Sequence, residues 1–362
     1  MDARYYPNIK QMNSIFNEEL AKGNVPTSIC FPEEVTITTT LRCNYRCTMC
    51  YQKHFDKDID PKVYEQLEPI LPFVDRLQIF GGEPLMYSHI TDIYEQAHRN
   101  QCKITMISNG SLLTDSMCEA IVKNSVFHIK FSIDGGSQET YKKIRGGNFF
   151  KVMKGIANIT QNKIKYDSPF PDMHFNFLQM RSNMAELPQL ISMASDIGVS
   201  SINVFYPSCH TKELIEESVF FCQEESDRWL RRSRTIAAQL GVNLRLPPLF
   251  SEGPTDQSGT NNRFCSDPWT KLLIDLDGTA NLCCGGPTNI GNLLDQSFDE
   301  LWNCEKAQKI RATVNTPNEP AYCRNCRVRK PIPTEIDLHI RNKQLQEYAL
   351  KRFGMRATSA AE

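Results

Sequence analysis

From Val35 to about Leu246 the chain alternates short apolar runs with longer segments of mixed pattern. The apolar runs fall at Val35–Leu41, Arg76–Phe80, Lys103–Ile107, Ile129–Ile133, His174–Met180 and Ser201–Tyr206, and they predict strands. Segments of helix length lie between and after them: Pro61–Leu71, Ile90–Arg99, Thr114–Lys123, Phe150–Asn162, Leu187–Gly198 and Glu224–Leu240. Strands alternating with helices imply βαβ units, hence an α/β fold with a parallel sheet. Six units are too few to close an eight-stranded barrel. Polar punctuation recurs just after the strands, at Gly81–Pro84, Ser108–Gly110, Ser132–Gly135 and Ser208–His210. In barrel-like α/β folds the chemistry gathers at the C-terminal strand ends. One end of the sheet therefore collects the unusual residues.

The flanks read differently. Residues 1–34 form a polar N-terminal extension with one helix over Ile9–Leu20, too short for a compact leader-binding module. Residues 247–264 are rich in Pro, Gly, Ser and Asn and read as a linker. A cysteine-rich segment, 265–330, follows, then a helical tail over 331–362 with its helix at Glu335–Phe353. Within the cysteine-rich segment, Trp269–Leu282 alternates around Asp277-Gly278, a tight-turn signal that predicts a hairpin.

Charge and composition narrow the function. With 41 basic and 42 acidic residues the formal charge is −1, and nothing in it suggests a general affinity for nucleic acid or anionic membrane. No apolar run approaches the ~20 residues of a membrane span. The N-terminus lacks the apolar core of a signal peptide, so the expected location is cytoplasmic. Fourteen cysteines are many for that compartment, where disulfides rarely persist, and metal ligation accounts for a good share of them. Cys30, Cys102, Cys118 and Cys222 have no partner at ligand spacing and read as small hydrophobes.

The sharpest signal is Cys43-x3-Cys47-x2-Cys50, directly after the first strand. Three thiolates on one short loop suit a soft metal centre. A [4Fe–4S] cluster normally takes four cysteines, so three leave one iron open. A zinc site is the alternative. The triplet resembles that of the radical S-adenosylmethionine (radical SAM) enzymes. The resemblance implies a partial (β/α)6 TIM-type barrel, SAM bound to the open iron, and reductive cleavage of SAM to a 5′-deoxyadenosyl radical. A reducing partner such as flavodoxin or ferredoxin is implied as well. Gly81, Gly82, Glu83 and Pro84 resemble the family motif that contacts the amino group of SAM. Ser108, Asn109, Ser132 and Asp134 are similar to residues that bind the ribose hydroxyls or the methionyl carboxylate, with ordinary turns as the alternative. Arg145 resembles the basic residue that many relatives place near the SAM carboxylate, with a solvated helix-end arginine as the alternative. Met49 stands where relatives often have an aromatic residue packing on adenine.

The C-terminal cysteines resemble the SPASM and twitch extensions of that family, which hold auxiliary [4Fe–4S] clusters. No cysteine follows Cys326, so one auxiliary cluster is expected, bound by Cys265, Cys283, Cys323 and Cys326 as in the twitch type. Cys284 adjoins Cys283, but the Gly278-x4-Cys283 spacing favours the latter; Cys304, in a helix-like stretch, is set aside. A zinc ribbon is the alternative. The resemblance implies hydrogen abstraction from a substrate carbon, by a dehydrogenase or epimerase acting on a sugar- or aminocyclitol-like small molecule. Cys209 is the candidate hydrogen donor for epimerisation, against a loop-packing role. A second reading is a maturase that crosslinks or epimerises a ribosomally made peptide. A zinc-binding non-catalytic module and a degenerate homologue complete the alternatives. Asn176, Gln179, Asn203, Tyr206 and His210 are candidate barrel-lining residues.

Overall fold

The computed structural model describes residues 6–252, 264–324, 326, 340 and 343–353. Most of the expected linker, and most of the expected tail ahead of residue 343, lie outside the described residues. An N-terminal helix α1 (Tyr6–Lys22) leads to strand β1 (Glu34–Thr40). Then α2 (Pro61–Glu65), β2 (Arg76–Gly81), α3 (Ile90–Arg99), β3 (Lys103–Ser108), α4 (Asp115–Lys123) and β4 (His128–Ser132) follow. After these come α5 (Gln138–Arg145), α6 (Phe149–Lys165), β5 (Asp172–Leu178), α7 (Leu187–Asp196) and β6 (Ser201–Phe205). The series continues with α8 (Lys212–Glu216), α9 (Gln223–Leu240) and β7 (Asn243–Arg245). The C-terminal part contributes α10 (Asp267–Thr270), β8 (Lys271–Ile274), β9 (Thr279–Asn281), β10 (Asn289–Asn292), α11 (Phe298–Trp302) and α12 (Glu305–Thr313).

One open sheet runs in the order β10-β9-β8-β1-β2-β3-β4-β5-β6-β7. From β8 to β7 every pairing is parallel. The α/β partial barrel is therefore present. Its strands are built from β-branched and aromatic residues, as Val35-Thr-Ile-Thr-Thr-Thr40 in β1 illustrates. Alternate residues such as Ile79, Met106, Phe131 and Phe175 are buried in one cluster with Tyr94, Ile121, Ile156 and Leu190 of the helices. Each such side chain contributes about 2 kcal/mol of apolar burial. The opposite parity carries Phe80, Ile107, Ser132 and Leu178, which face a cavity at the C-terminal strand ends.

Several elements depart from the expected pattern. The stretch Pro61–Leu71 is not one helix: α2 stops at Glu65 and a 3-10 turn spans Glu68–Phe73, because Pro69 and Pro72 withhold backbone donors. Strand β7 is a seventh, short strand whose Asn-Leu-Arg sequence carries little β signal. The predicted hairpin is present as β8 and β9, with Gly278 at φ +86° in its turn. It does not stand apart from the barrel. Strand β8 pairs in parallel with β1, Glu34 to Lys271 through Ile37 to Ile274, and extends the same sheet.

Candidate active site

The loop after β1 is clamped at its base. Arg42 donates through Nε and Nη2 to Asp58, at 2.9 and 2.5 Å, and through Nη2 to the Met86 carbonyl at 2.7 Å. The Gly81–Glu83 backbone runs against this loop, with Gly82 N bonded to Thr40 O and Glu83 N to Arg42 O, both at 2.8 Å. A β-carbon on Gly82 would lie 2.3 Å from Arg42 O, and one on Gly81 equally close to Thr40 O. These glycines serve backbone-to-backbone approach first. The loop then presents Cys43, Cys47 and Cys50 to a cavity of about 850 Å³. The turn is held by Cys50 N on Cys47 O at 3.1 Å and by Thr48 N on Ile144 O at 2.9 Å.

Gly81, Gly82, Ser108, Asn109, Ser132 and Arg145 line this same cavity, with Met49, Phe80, Ile107 and Leu178 as its apolar wall. Glu83 does not join them. Its buried carboxylate accepts from Ser108 Oγ at 2.8 Å, Asn109 N at 2.7 Å and Leu85 N at 3.2 Å. Burial pushes the Glu83 carboxyl up while those bonds pull it down, and burial wins. Its side chain ties the β2 loop to the β3 loop instead of facing the cavity. Pro84 likewise is buried, at the start of a 3-10 turn. Asn109 Nδ2 donates to Asn44 Oδ1 at 3.0 Å and Asn44 Nδ2 to Ser111 at 2.8 Å, so the network reaches back to the cysteine loop.

Asp134 also lies behind the cavity wall. It is fully buried, accepts from Leu178 N at 2.6 Å and from Arg145 Nε at 2.6 Å, and does not line the cavity. Its task is to hold Arg145, which is no solvated helix end: the side chain is 14% exposed and Nη1 points at Cys47 Sγ, 3.7 Å away. Burial works against the Arg145 charge, but Asp134, then Cys47 and Tyr141, push its pKa up. Two caps place the arginine: Ser137 accepts from Thr140 N at the start of α5, and Gly146 at φ +79° ends it.

Cys209, the candidate hydrogen donor, does not line the cavity. It is 2% exposed, packs with Ile144, Met180, Leu214 and Ile215, and gives its S–H to Leu214 O at 3.3 Å. Burial pushes its thiol up to about 11. Of the other lining candidates, Tyr206 and His210 reach the cavity, Asn203 donates to Asn176 at 3.2 Å, and Gln179 is buried against Ser226. Tyr45, Gln52 and His54 also line the cavity and were missed, as loop positions carry no periodic signal. Phe80, Ile107 and Leu178 were legible in principle from strand parity with Ser132.

A second, smaller hollow of about 190 Å³ gathers Cys265, Cys283, Cys284, Cys323 and Cys326 around Gly285 and Tyr322. A β-carbon on Gly285 would sit 3.2 Å from Cys326 Sγ and 3.9 Å from Cys283 Sγ, so a glycine there keeps the space between the sulfurs open. Cys304 stays outside, bonded to Ile290 O at 3.4 Å. Cys265 precedes β8, and Cys283 follows the antiparallel β9, so this group lies at the N-terminal end of β1. The first triplet lies at the other end, about 20 Å of strand away.

The donor sets fit iron–sulfur groups. A tetrahedral zinc with Zn–S near 2.3 Å needs sulfurs about 3.8 Å apart. Among the described residues no three of these thiols lie within 4.8 Å of one another. A cubane, with its ligands on separate irons, tolerates wider spacing.

Comparison with known proteins agrees. The radical SAM superfamily model matches residues 37–176, and the model of the iron–sulfur cluster-binding SPASM domain matches residues 265–327. The AdoMet-dependent heme synthase of Methanosarcina barkeri is 23% identical over 324 residues, covering 81% of this chain and 88% of that protein. The PqqA peptide cyclase of Ruegeria pomeroyi is 22% identical over 319 residues, covering 85% and 82%. Among solved structures, Streptococcus suis SuiB bound to its precursor peptide SuiA superposes with a TM-score of 0.59 at 15% identity, covering 82% of this chain and 69% of that one. The two domain matches fall in the order that the cysteine groups take along the chain: this chain belongs to the radical SAM superfamily, as an enzyme of SAM and a [4Fe–4S] cluster with a C-terminal SPASM domain for auxiliary iron–sulfur chemistry.

Proposed function

We propose that this enzyme modifies a peptide, with Cys43, Cys47 and Cys50 holding the SAM-binding cluster and Cys265, Cys283, Cys323 and Cys326 holding one auxiliary cluster. In this reading 35–246 is the barrel, 265–330 the auxiliary domain, 247–264 their connection, and 1–34 and 331–362 the flanks. When bound, the cluster and SAM supply a carbon radical that takes hydrogen from a substrate carbon. The chain itself positions and shields. Arg145, held by Asp134, offers its guanidinium to the methionyl carboxylate. Ser108, Asn109 and Ser132 offer hydroxyl and amide groups to the polar part of the cofactor, beside the exposed backbone of Gly81 and Gly82. Met49, Phe80, Ile107 and Leu178 keep water from the reacting carbon.

The observation that carries the peptide reading is the cavity's mouth, since SAM and its cluster would themselves take up much of the 850 Å³. Its rim carries Tyr51, 75% exposed and edge-on to His210 with ring centroids 6.5 Å apart. An exposed aromatic rim suits a chain that extends out of the cavity. The peptide substrates named for the cyclase and for SuiB point the same way. A sugar or aminocyclitol epimerase gains less support, because its candidate donor Cys209 does not line the cavity.

Reconstituted enzyme with SAM and dithionite is the test. Perdeuterated precursor-peptide pools and perdeuterated amino sugars are supplied separately, and deuterium in the 5′-deoxyadenosine product is read by mass spectrometry. Transfer from peptide alone is expected. Transfer from the amino sugars and none from peptide would replace this proposal with the small-molecule one.

A further inference from the structure

At the end of the sheet opposite the SAM cavity, β4 and β5 bring together three side chains with metal-ligand chemistry. His128 opens β4 and Asp172 stands opposite it in the parallel register; His174 lies two residues on, on the same face. One ligand atom from each falls within 4.8 Å of the other two. His174 Nε2 is 2.8 Å from Asp172 Oδ2, and the two imidazoles meet edge to face with centroids 4.0 Å apart. Ser200 Oγ donates to Asp172 Oδ1 at 2.6 Å.

The second observation is what these rings leave unused. His128 Nε2 and His174 Nδ1 are both buried and have no hydrogen-bond partner, and His174 as a whole is only 7% exposed. A neutral imidazole has one N–H and one lone pair. With its Nε2 hydrogen on the Asp172 carboxylate, a neutral His174 ring has its lone pair on Nδ1. The two ring nitrogens left without a partner, beside a carboxylate, are the donor set.

We propose that His128, Asp172 and His174 form a binding site for one borderline divalent cation, zinc being the probe of choice, separate from both cysteine groups. The imidazoles are the ligands and Asp172 supplies the charge that orients them. Lys130 and Arg245 also face His128. Their charge opposes any cation here, so the site depends on the imidazole donors and on the Asp172 carboxylate to offset it. The ion would pin the N-terminal ends of β4 and β5, where a barrel carries stability and not catalysis.

The experiment uses anaerobically reconstituted holoenzyme, so that the cysteines are occupied by iron. It is equilibrated with zinc chloride and desalted, then its zinc content, thermal midpoint and zinc-edge X-ray absorption are measured. Wild type is expected to retain about one zinc per chain, with nitrogen and oxygen scatterers only, and to melt several degrees higher with zinc. His128→Gln and His174→Gln should lose at least about five-sixths of that zinc and the thermal gain, at unchanged iron content. Should the buried His174 variant fail to fold, Asp172→Asn, whose side chain is 47% exposed, takes its place. Sulfur scattering at the zinc, no zinc in wild type, or equal zinc in the variants would each overturn the proposal.

Discussion

Arg145 is a cation kept beside a thiol-lined cavity by a buried anion, and breaking such a pair leaves the survivor uncompensated. Asp134→Ala should destabilise the fold by about 3 kcal/mol and weaken SAM binding roughly tenfold; urea midpoints and equilibrium dialysis read the two effects. If binding is lost without any change in midpoint, Asp134 contacts the cofactor itself. Cys209 tests the opposite case. With its thiol near pKa 11 and bonded to Leu214 O, it should resist iodoacetamide at pH 8 in the native state. Cys209→Ala should leave SAM cleavage within about twofold of wild type; a larger drop would return it to the chemistry. Residue types at spacing singled out Cys43, Cys47, Cys50, Ser108 and Arg145, which line one cavity. What Glu83 and Asp134 do was hidden, because a carboxylate at a strand end reads the same whether it faces a ligand or a buried backbone donor.

Two glycines separate kinds of element strain. At Gly146 the φ of +79° ends α5 and nothing lies within 4 Å of a β-carbon, so Gly146→Ala should cost only about 1 kcal/mol. At Gly82 the added carbon would meet Arg42 O at 2.3 Å, forcing the β2 loop off the cysteine loop. Gly82→Ala should cost more than about 2 kcal/mol, and anaerobic reconstitution should then yield less iron. Urea melts alongside iron assays distinguish the pair, and equal costs would show that the loops are not packed as described. Six strands were legible because each is a run of β-branched and aromatic residues. Strand β7 was not, since three residues of Asn-Leu-Arg form a strand only because β6 supplies a ladder. The partnership of β8 with β1 was equally hidden: pairing across more than 230 positions leaves no local mark on either strand.

At the scale of the whole molecule, two cysteine groups stand at opposite ends of the β1–β8 pair. Anaerobic reconstitution should load about eight irons, falling to about four in a Cys43/Cys47/Cys50→Ala variant and to about four when Cys265, Cys283, Cys323 and Cys326 are replaced. Loss of all iron in either variant would mean that the sites assemble together. Among the described residues no helix is long and apolar enough to cross a membrane. The separation along β1 has a practical corollary. The two cysteine groups line separate hollows. If each holds its proposed cluster, a preparation stripped of the one at Cys43, Cys47 and Cys50 would keep the other, and with it a brown colour and half its iron. Colour measures how much of the protein is loaded, not how much of it is able to react.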